Sequence, residues 1–225
     1  MVEYDELLET LDAETERTVR ATRGSTEADL SLPTRCPPWD VGVLVGHMIR
    51  DLDRVTMYLA EPSPGPASTD AVTYFRSYDP AAEGPAITAS STEVANRYHS
   101  PAEFSDALEL TLDSCLAATR AEDPARVLRT RLTWIRLDEF VKTRILEIGV
   151  HGLDLADALG REPWLTSAAA SVVRSILVAL LGADPTADLG WSDLTFIETA
   201  SGRRPLTDAE RAVLGIRAGA FPLLG

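Results

Sequence analysis

Glu147 and His151 stand four positions apart in FVKTRILEIGVHGLDLADALG, residues 140–160. If that segment is helical, the two side chains share a face about one turn apart. At about 100° per residue, Thr143, Arg144, Glu147, His151 and Asp154 fall within roughly a quarter turn, while Ile145, Leu146, Ile148, Val150, Leu153 and Leu155 fill most of the remainder. A mostly apolar helix with one narrow polar stripe turns that stripe to water or to partners across a cavity. ExxxH alone is an ordinary helix-surface pair. His47, however, lies at the edge of an apolar stripe beside Leu44, Met48 and Asp51, and so points to the interior or its rim. By itself it reads as a satisfied core histidine. Together, two imidazoles and one carboxylate make a borderline-soft donor set suited to a divalent metal, zinc foremost, and three protein ligands leave a fourth position for water or substrate. Two candidate catalytic residues share the stripe. Asp154 could orient an imidazole or be a plain surface carboxylate. Arg144 could hold a substrate carboxylate or pair with Glu147 or a neighbouring acid.

These residues need helices to bring them together. Leu7, Leu8, Leu11, Val19 and Leu30 among many charges predict an amphipathic first helix within residues 3–30. After Pro33, Pro37 and Pro38, Asp40 caps a second helix, whose Val41, Leu44, Val45, Met48, Leu52, Val55 and Leu59 recur at helical spacing to about Ala60. Residues 61–99, rich in Pro, Gly, Ser and Thr with an aromatic patch at Tyr74, Phe75 and Tyr78, predict a long functional loop or lid. Ser100, Pro101 and Glu103 open a third helix, closed by Asp123 and Pro124. The fourth begins between Thr133 and Glu139 and stops at Gly160. The expected class is all-α dominated, a four-helix bundle over residues 1–162 with a small C-terminal α/β appendage, residues 163–225, packed on it. The appendage holds a buried helix over residues 167–182, a strand-like run WSDLTFIET within Leu189–Ala200, and a short helix opened by Thr207 and Glu210. Arg203 and Arg204 read as solvated loop charges, with reach into the cavity as the alternative. Trp39 and Trp134 read as core or helix-end packing, and His99 as an exposed loop histidine.

Composition excludes several function classes. Lys plus Arg number 21 against 35 acidic residues, a formal charge of −14 that repels nucleic acid and anionic lipid. No apolar run approaches the roughly 18–20 residues of a membrane span, and the acidic Met1–Thr10 segment is the reverse of a signal n-region, so a cytoplasmic location is expected. Cys36 and Cys115 form no CxxC pair and read as two reduced, mostly buried thiols. No nucleotide loop or GxSxG elbow competes with the histidine cluster.

Two stretches also resemble a known family. PTRCPPWDVGVLVGHMIRD, residues 33–51, is similar to the CPGW, helix, then His signature of the mycothiol-dependent maleylpyruvate isomerase N-terminal domain, among the DinB-like metal-binding bundles. RILEIGVHGLDLADALG, residues 144–160, resembles its REIxVHxxDLxxALG motif, and the tail FIETASGRRPL looks like the reduced C-terminal portion of related proteins. Pro38 stands where the family carries glycine, and the C-terminal part looks shorter than that of the isomerase proper. The resemblance implies a DinB-like four-helix bundle with His47, Glu147 and His151 as metal ligands. It further implies a low-molecular-weight thiol, usually mycothiol, as cosubstrate, and with it a small electrophile isomerised or taken through S-transfer; apart from the resemblance, a monomer or homodimer is expected. Two rivals stand beside it: a hydrolase in which the metal activates water, and a non-catalytic bundle whose long loop binds a partner.

Overall fold

The computed structural model describes residues 3–224. Helix α1 (Tyr4–Arg23) opens with a capping box between Glu3 and Glu6 and buries Leu7, Leu8, Leu11 and Val19. It ends before Gly24, short of the expected residue 30, and a 3-10 turn follows at Ala28–Ser31. Asp40 accepts from the Val43 N–H and starts α2 (Val41–Leu59).

The predicted loop over residues 61–99 is largely helical, which corrects the sequence reading. It holds α3 (Ala71–Arg76), capped by Asp70, and α4 (Pro80–Ala95), capped by Asp79 with Pro80 in the first turn. Gly84 and Pro85 inside α4 gave the segment its loop-like composition. Packing overrides that weak propensity, because α4 lies along α2 so closely that a Cβ on Gly46 would stand 2.8 Å from the Ser91 carbonyl oxygen.

The third predicted helix is α5 (Pro101–Arg120), with Ser100 accepting from the Glu103 N–H. A two-stranded antiparallel ribbon, β1 (Val127–Arg129) and β2 (Trp134–Arg136), pairs Leu128 with Ile135 and leads into α6 (Leu137–Ala158). Helices α1, α2, α5 and α6 form the bundle: α1 packs on α5 and α6, and α2 on the same two. Their facing stripes bury Leu8, Leu11, Leu44, Leu52, Leu108, Ile145 and Ile148 to 1% exposure or less. Each such side chain contributes about 1.5–3 kcal/mol of transfer free energy.

Beyond α6 every regular element among the described residues is a helix, a second correction. Helix α7 (Ser167–Leu181) is capped by Thr166 and stopped by Gly182 in the left-handed region. The run expected as a strand contains the end of α8 (Thr186–Leu189) and the whole of α9 (Asp193–Ala200). Ser192 accepts from the Thr195 N–H and so nucleates α9, whose Phe196, Ile197 and Ala200 are buried. The Thr207 and Glu210 capping box opens α10 (Asp208–Leu214) as expected. Helix α7 packs on α6 and α9 on α7, which extends the buried cluster from Leu7 to Ala200. No helix among the described residues is long and apolar enough to cross a membrane.

Candidate metal centre and its cavity

His47 comes from the middle of α2, and Glu147 and His151 come from successive turns of α6. Both imidazoles turn Nε2 toward the same carboxylate oxygen: Glu147 Oε2 lies 3.5 Å from His47 Nε2 and 3.4 Å from His151 Nε2. The three donor atoms all lie within 4.8 Å of one another. Ligands held about 2.0–2.2 Å from one cation at tetrahedral angles sit about 3.3–3.6 Å apart, so this donor set fits a zinc-sized ion.

The other ring nitrogens are engaged. His151 Nδ1 lies 3.0 Å from Asp154 Oδ2, and since an ionised carboxylate only accepts, Nδ1 carries a hydrogen directed at it. His47 Nδ1 is hydrogen-bonded at 3.3 Å to Ser91 Oγ on α4. Trp39 packs against both rings, at 4.8 Å from His47 and 5.9 Å from His151 between centroids, and its Nε1 donates to Thr88. It is thus a wall of the site as well as a packing residue.

Electrostatics follow the contacts. Burial raises Glu147, but the hydrogen bonds from His151 and His47 outweigh it and hold this carboxyl well below its usual range. Burial lowers His151, but bonds to Asp154, Cys36 and Glu147 outweigh it and hold the imidazole well above its usual value.

Asp154 is fully buried and serves more than one partner. Arg203, reaching in from beyond α9, donates Nε to Oδ1 at 2.9 Å and Nη2 to Oδ2 at 2.6 Å. The same Nη2 stands 3.3 Å from Cys36 Sγ, which lies 3.1 Å from Asp154 Oδ2 and 3.9 Å from His151 Nδ1. Cys36, His151 and Asp154 are themselves close enough to resemble a second donor group. The Arg203 guanidinium already occupies the positive position there, so the Nε2 side is the candidate centre.

The reading of Arg203 as a solvated loop charge is therefore corrected, whereas Arg204 turns away to pair with Glu210. Arg144 donates to Asp51 Oδ2 at 2.7 Å and stacks 4.6 Å over the Phe140 ring, so its carboxylate partner is Asp51. Asp51 lies one turn beyond His47, with Oδ2 3.5 Å from His47 Nε2. Sequence reasoning gave Asp51 no role, although its i+4 relation to His47 mirrors that of Glu147 and His151. Trp134 is 37% exposed on β2, away from the core, and His99 is exposed as expected. Cys115 is buried, its thiol pushed up to about 12 by burial.

The donor cluster opens onto a cavity of about 900 Å³ whose walls include Trp39, Tyr74, Phe75, Tyr78, Arg50 and Arg54. That volume suits a drug-sized ligand. Fold and site together define a helical-bundle protein with a nitrogen and oxygen donor cluster set deep in a ligand-sized cavity. The sequence matches the mycothiol maleylpyruvate isomerase N-terminal domain over residues 11–156, more than half of the chain, and the chain belongs to that family. Two solved structures share the fold, both of the mycothiol-dependent maleylpyruvate isomerase, one of them a histidine-to-alanine mutant. Each is 16% identical and the match covers 83% of this chain and 72% of that one, with TM-scores of 0.56 for the mutant and 0.55 for the other. A comparison with curated proteins gives no match.

Proposed function

We propose that this chain is a metal-dependent enzyme that uses a low-molecular-weight thiol, mycothiol or one like it, to isomerise a small electrophile or to carry out S-transfer on it. The observation that carries this reading is the convergence of His47 Nε2, His151 Nε2 and Glu147 Oε2 on one point in the cavity wall. Family membership supports the thiol, because the family's description names mycothiol. A divalent cation held by His47, Glu147 and His151, zinc by the nature of the donors, would supply a Lewis acid that favours thiolate over thiol near neutral pH.

The protein's own groups prepare the site for that chemistry. Asp154 holds a hydrogen on His151 Nδ1, so that Nε2, once its own proton is displaced, is the nitrogen a metal would take. Arg203 neutralises Asp154 and fixes its orientation, which keeps the imidazole in register. Ser91 Oγ, 3.3 Å from His47 Nδ1, would accept the corresponding hydrogen when His47 offers Nε2 to a metal. The aromatic wall of Trp39, Tyr74, Phe75 and Tyr78 excludes water from one side of a reacting thiol and substrate, which strengthens every charge interaction inside.

The test is turnover of maleylpyruvate and of a panel of small electrophiles by the purified chain, with and without added thiol. The reading predicts product only when thiol is present and a loss of at least about a hundredfold in His151→Ala. Equal rates with and without thiol would point to water as the nucleophile and overturn it.

A further inference from the structure

Beyond His47, helix α2 continues along the cavity. Arg50, Arg54 and Tyr58 follow it at three, seven and eleven residues, so they extend the same stripe, and Arg54 lies about 10 Å farther along the axis. Three guanidiniums, Arg50, Arg54 and Arg144, line this end of the cavity, and two of them share one carboxylate. Arg144 takes Asp51 Oδ2 at 2.7 Å and Arg50 takes Oδ1 at 2.8 Å, so both oxygens of Asp51 are engaged. Arg50 keeps a buried Nε with no hydrogen-bond partner, on a side chain only 13% exposed. Arg54 donates to the Tyr58 hydroxyl at 3.2 Å and forms no ion pair among the described residues. Glu147, the other carboxylate near this stripe, is turned to the imidazoles. Burial first, then repulsion from Arg54 and Arg144 working against the pull of Asp51, pushes the Arg50 guanidinium below its usual pKa.

A chain of net charge −14 has thus set an excess of positive charge, partly desolvated and short of acceptors, against an internal cavity. Such an arrangement costs stability unless something anionic completes it. We propose that Arg50 and Arg54 form an anion subsite, which takes the carboxylate or phosphate group at one end of a ligand extending along α2 toward the donor cluster. The Tyr58 hydroxyl stands beside that group as a further donor. Arg144 is held in place by Asp51 and Phe140, and supplies long-range attraction without having to move. The subsite is defined by α2 alone and does not depend on the reaction proposed above.

Isothermal titration calorimetry of the full chain, as purified and again after dialysis against a chelator, tests it with three probes: glutarate, inorganic phosphate and the neutral glutaramide. Binding of glutarate or phosphate should weaken about tenfold or more in Arg54→Gln and in Arg50→Gln, with part of the affinity retained in Arg54→Lys. Whichever anion shows that dependence identifies the group, and glutaramide should show none. Because Arg54→Gln relieves repulsion, its Tm should equal or exceed that of the wild type. Equal anion affinity in wild type and Arg54→Gln overturns the proposal, as does failure of both anions to bind the wild type at millimolar concentration. A lowered Tm with unchanged affinity would show Arg54 to be structural. Persistence of the Arg54 dependence after chelation separates this result from the fate of the metal-dependent reaction.

Discussion

Asp154 joins the orientation of His151 to the docking of the tail in one buried carboxylate, because its oxygens serve His151, Arg203 and Cys36 together. Asp154→Asn keeps the shape but cannot neutralise Arg203, whose side chain is only 14% exposed. Breaking a buried pair in this way should lower unfolding free energy by about 3 kcal/mol in a urea titration. Loss of the charged acceptor facing His151 should also weaken metal binding about 10- to 100-fold in a competition titration against a chromophoric chelator. Unchanged values in both measurements would show that Asp154 neither orients the imidazole nor anchors the tail. At this scale the sequence was readable where helical periodicity alone fixes a neighbour. The spacing of Glu147, His151 and Asp154 and the stripe position of His47 follow from 3.6 residues per turn. Arg203, 49 residues from Asp154, and Cys36, 118 residues from it, arrive through tertiary folding, and no local pattern announces them.

The pairing of α2 with α4 is the contact between elements on which the His47 side of the site depends. Its closeness rests on Gly46, where an added Cβ would meet the Ser91 carbonyl oxygen at 2.8 Å and the Ala95 N and Cβ at 3.0 Å. Backbone cannot yield as a side-chain tip can, so Gly46→Ala should destabilise the chain by about 1–3 kcal/mol in spite of alanine's better helix propensity. Thermal unfolding followed by circular dichroism reads this directly, and an unchanged or raised Tm would mean that α4 shifts freely. At the other end of the chain, Glu210 accepts from Arg204, Trp191 Nε1 and the Thr207 N–H, contacts led by Arg204 that hold its carboxyl down to about 2. A depressed carboxyl stabilises above its unfolded value of 4.5 and loses that contribution as pH falls toward about 2. Tryptophan emission should therefore change over that window in the wild type, and less so in Glu210→Gln. Equal acid profiles would contradict the assignment. The caps at Asp40, Ser100 and Thr207 were readable in the sequence, whereas α4 and α9 were not. Gly84 and Pro85 disguise α4 as loop, and the apolar Leu194, Phe196 and Ile197 suit a strand as well as a helix until packing on α7 decides.

Over the whole molecule, charge is divided between an acidic exterior and an arginine-lined interior, and this division follows from the fold. Composition supplies the net −14 but not its distribution, because Arg50, Arg54, Arg144 and Arg203 are brought to one cavity by α2, α6 and the tail. The four long helices were readable because each buries a continuous apolar stripe. The all-helical C-terminal portion and its reach into the cavity were not, since both depend on how α7 and α9 stack on α6. Everything proposed about catalysis requires that α2 and α6 hold a single cation between them. The most direct measurement is elemental analysis of the zinc-loaded, desalted chain beside His47→Ala and His151→Ala, each first shown by circular dichroism to be folded. The account predicts about one equivalent of zinc per wild-type chain and less than about a tenth of that in either variant. Wild-type zinc content in both folded variants, or none in the wild type itself, would contradict it.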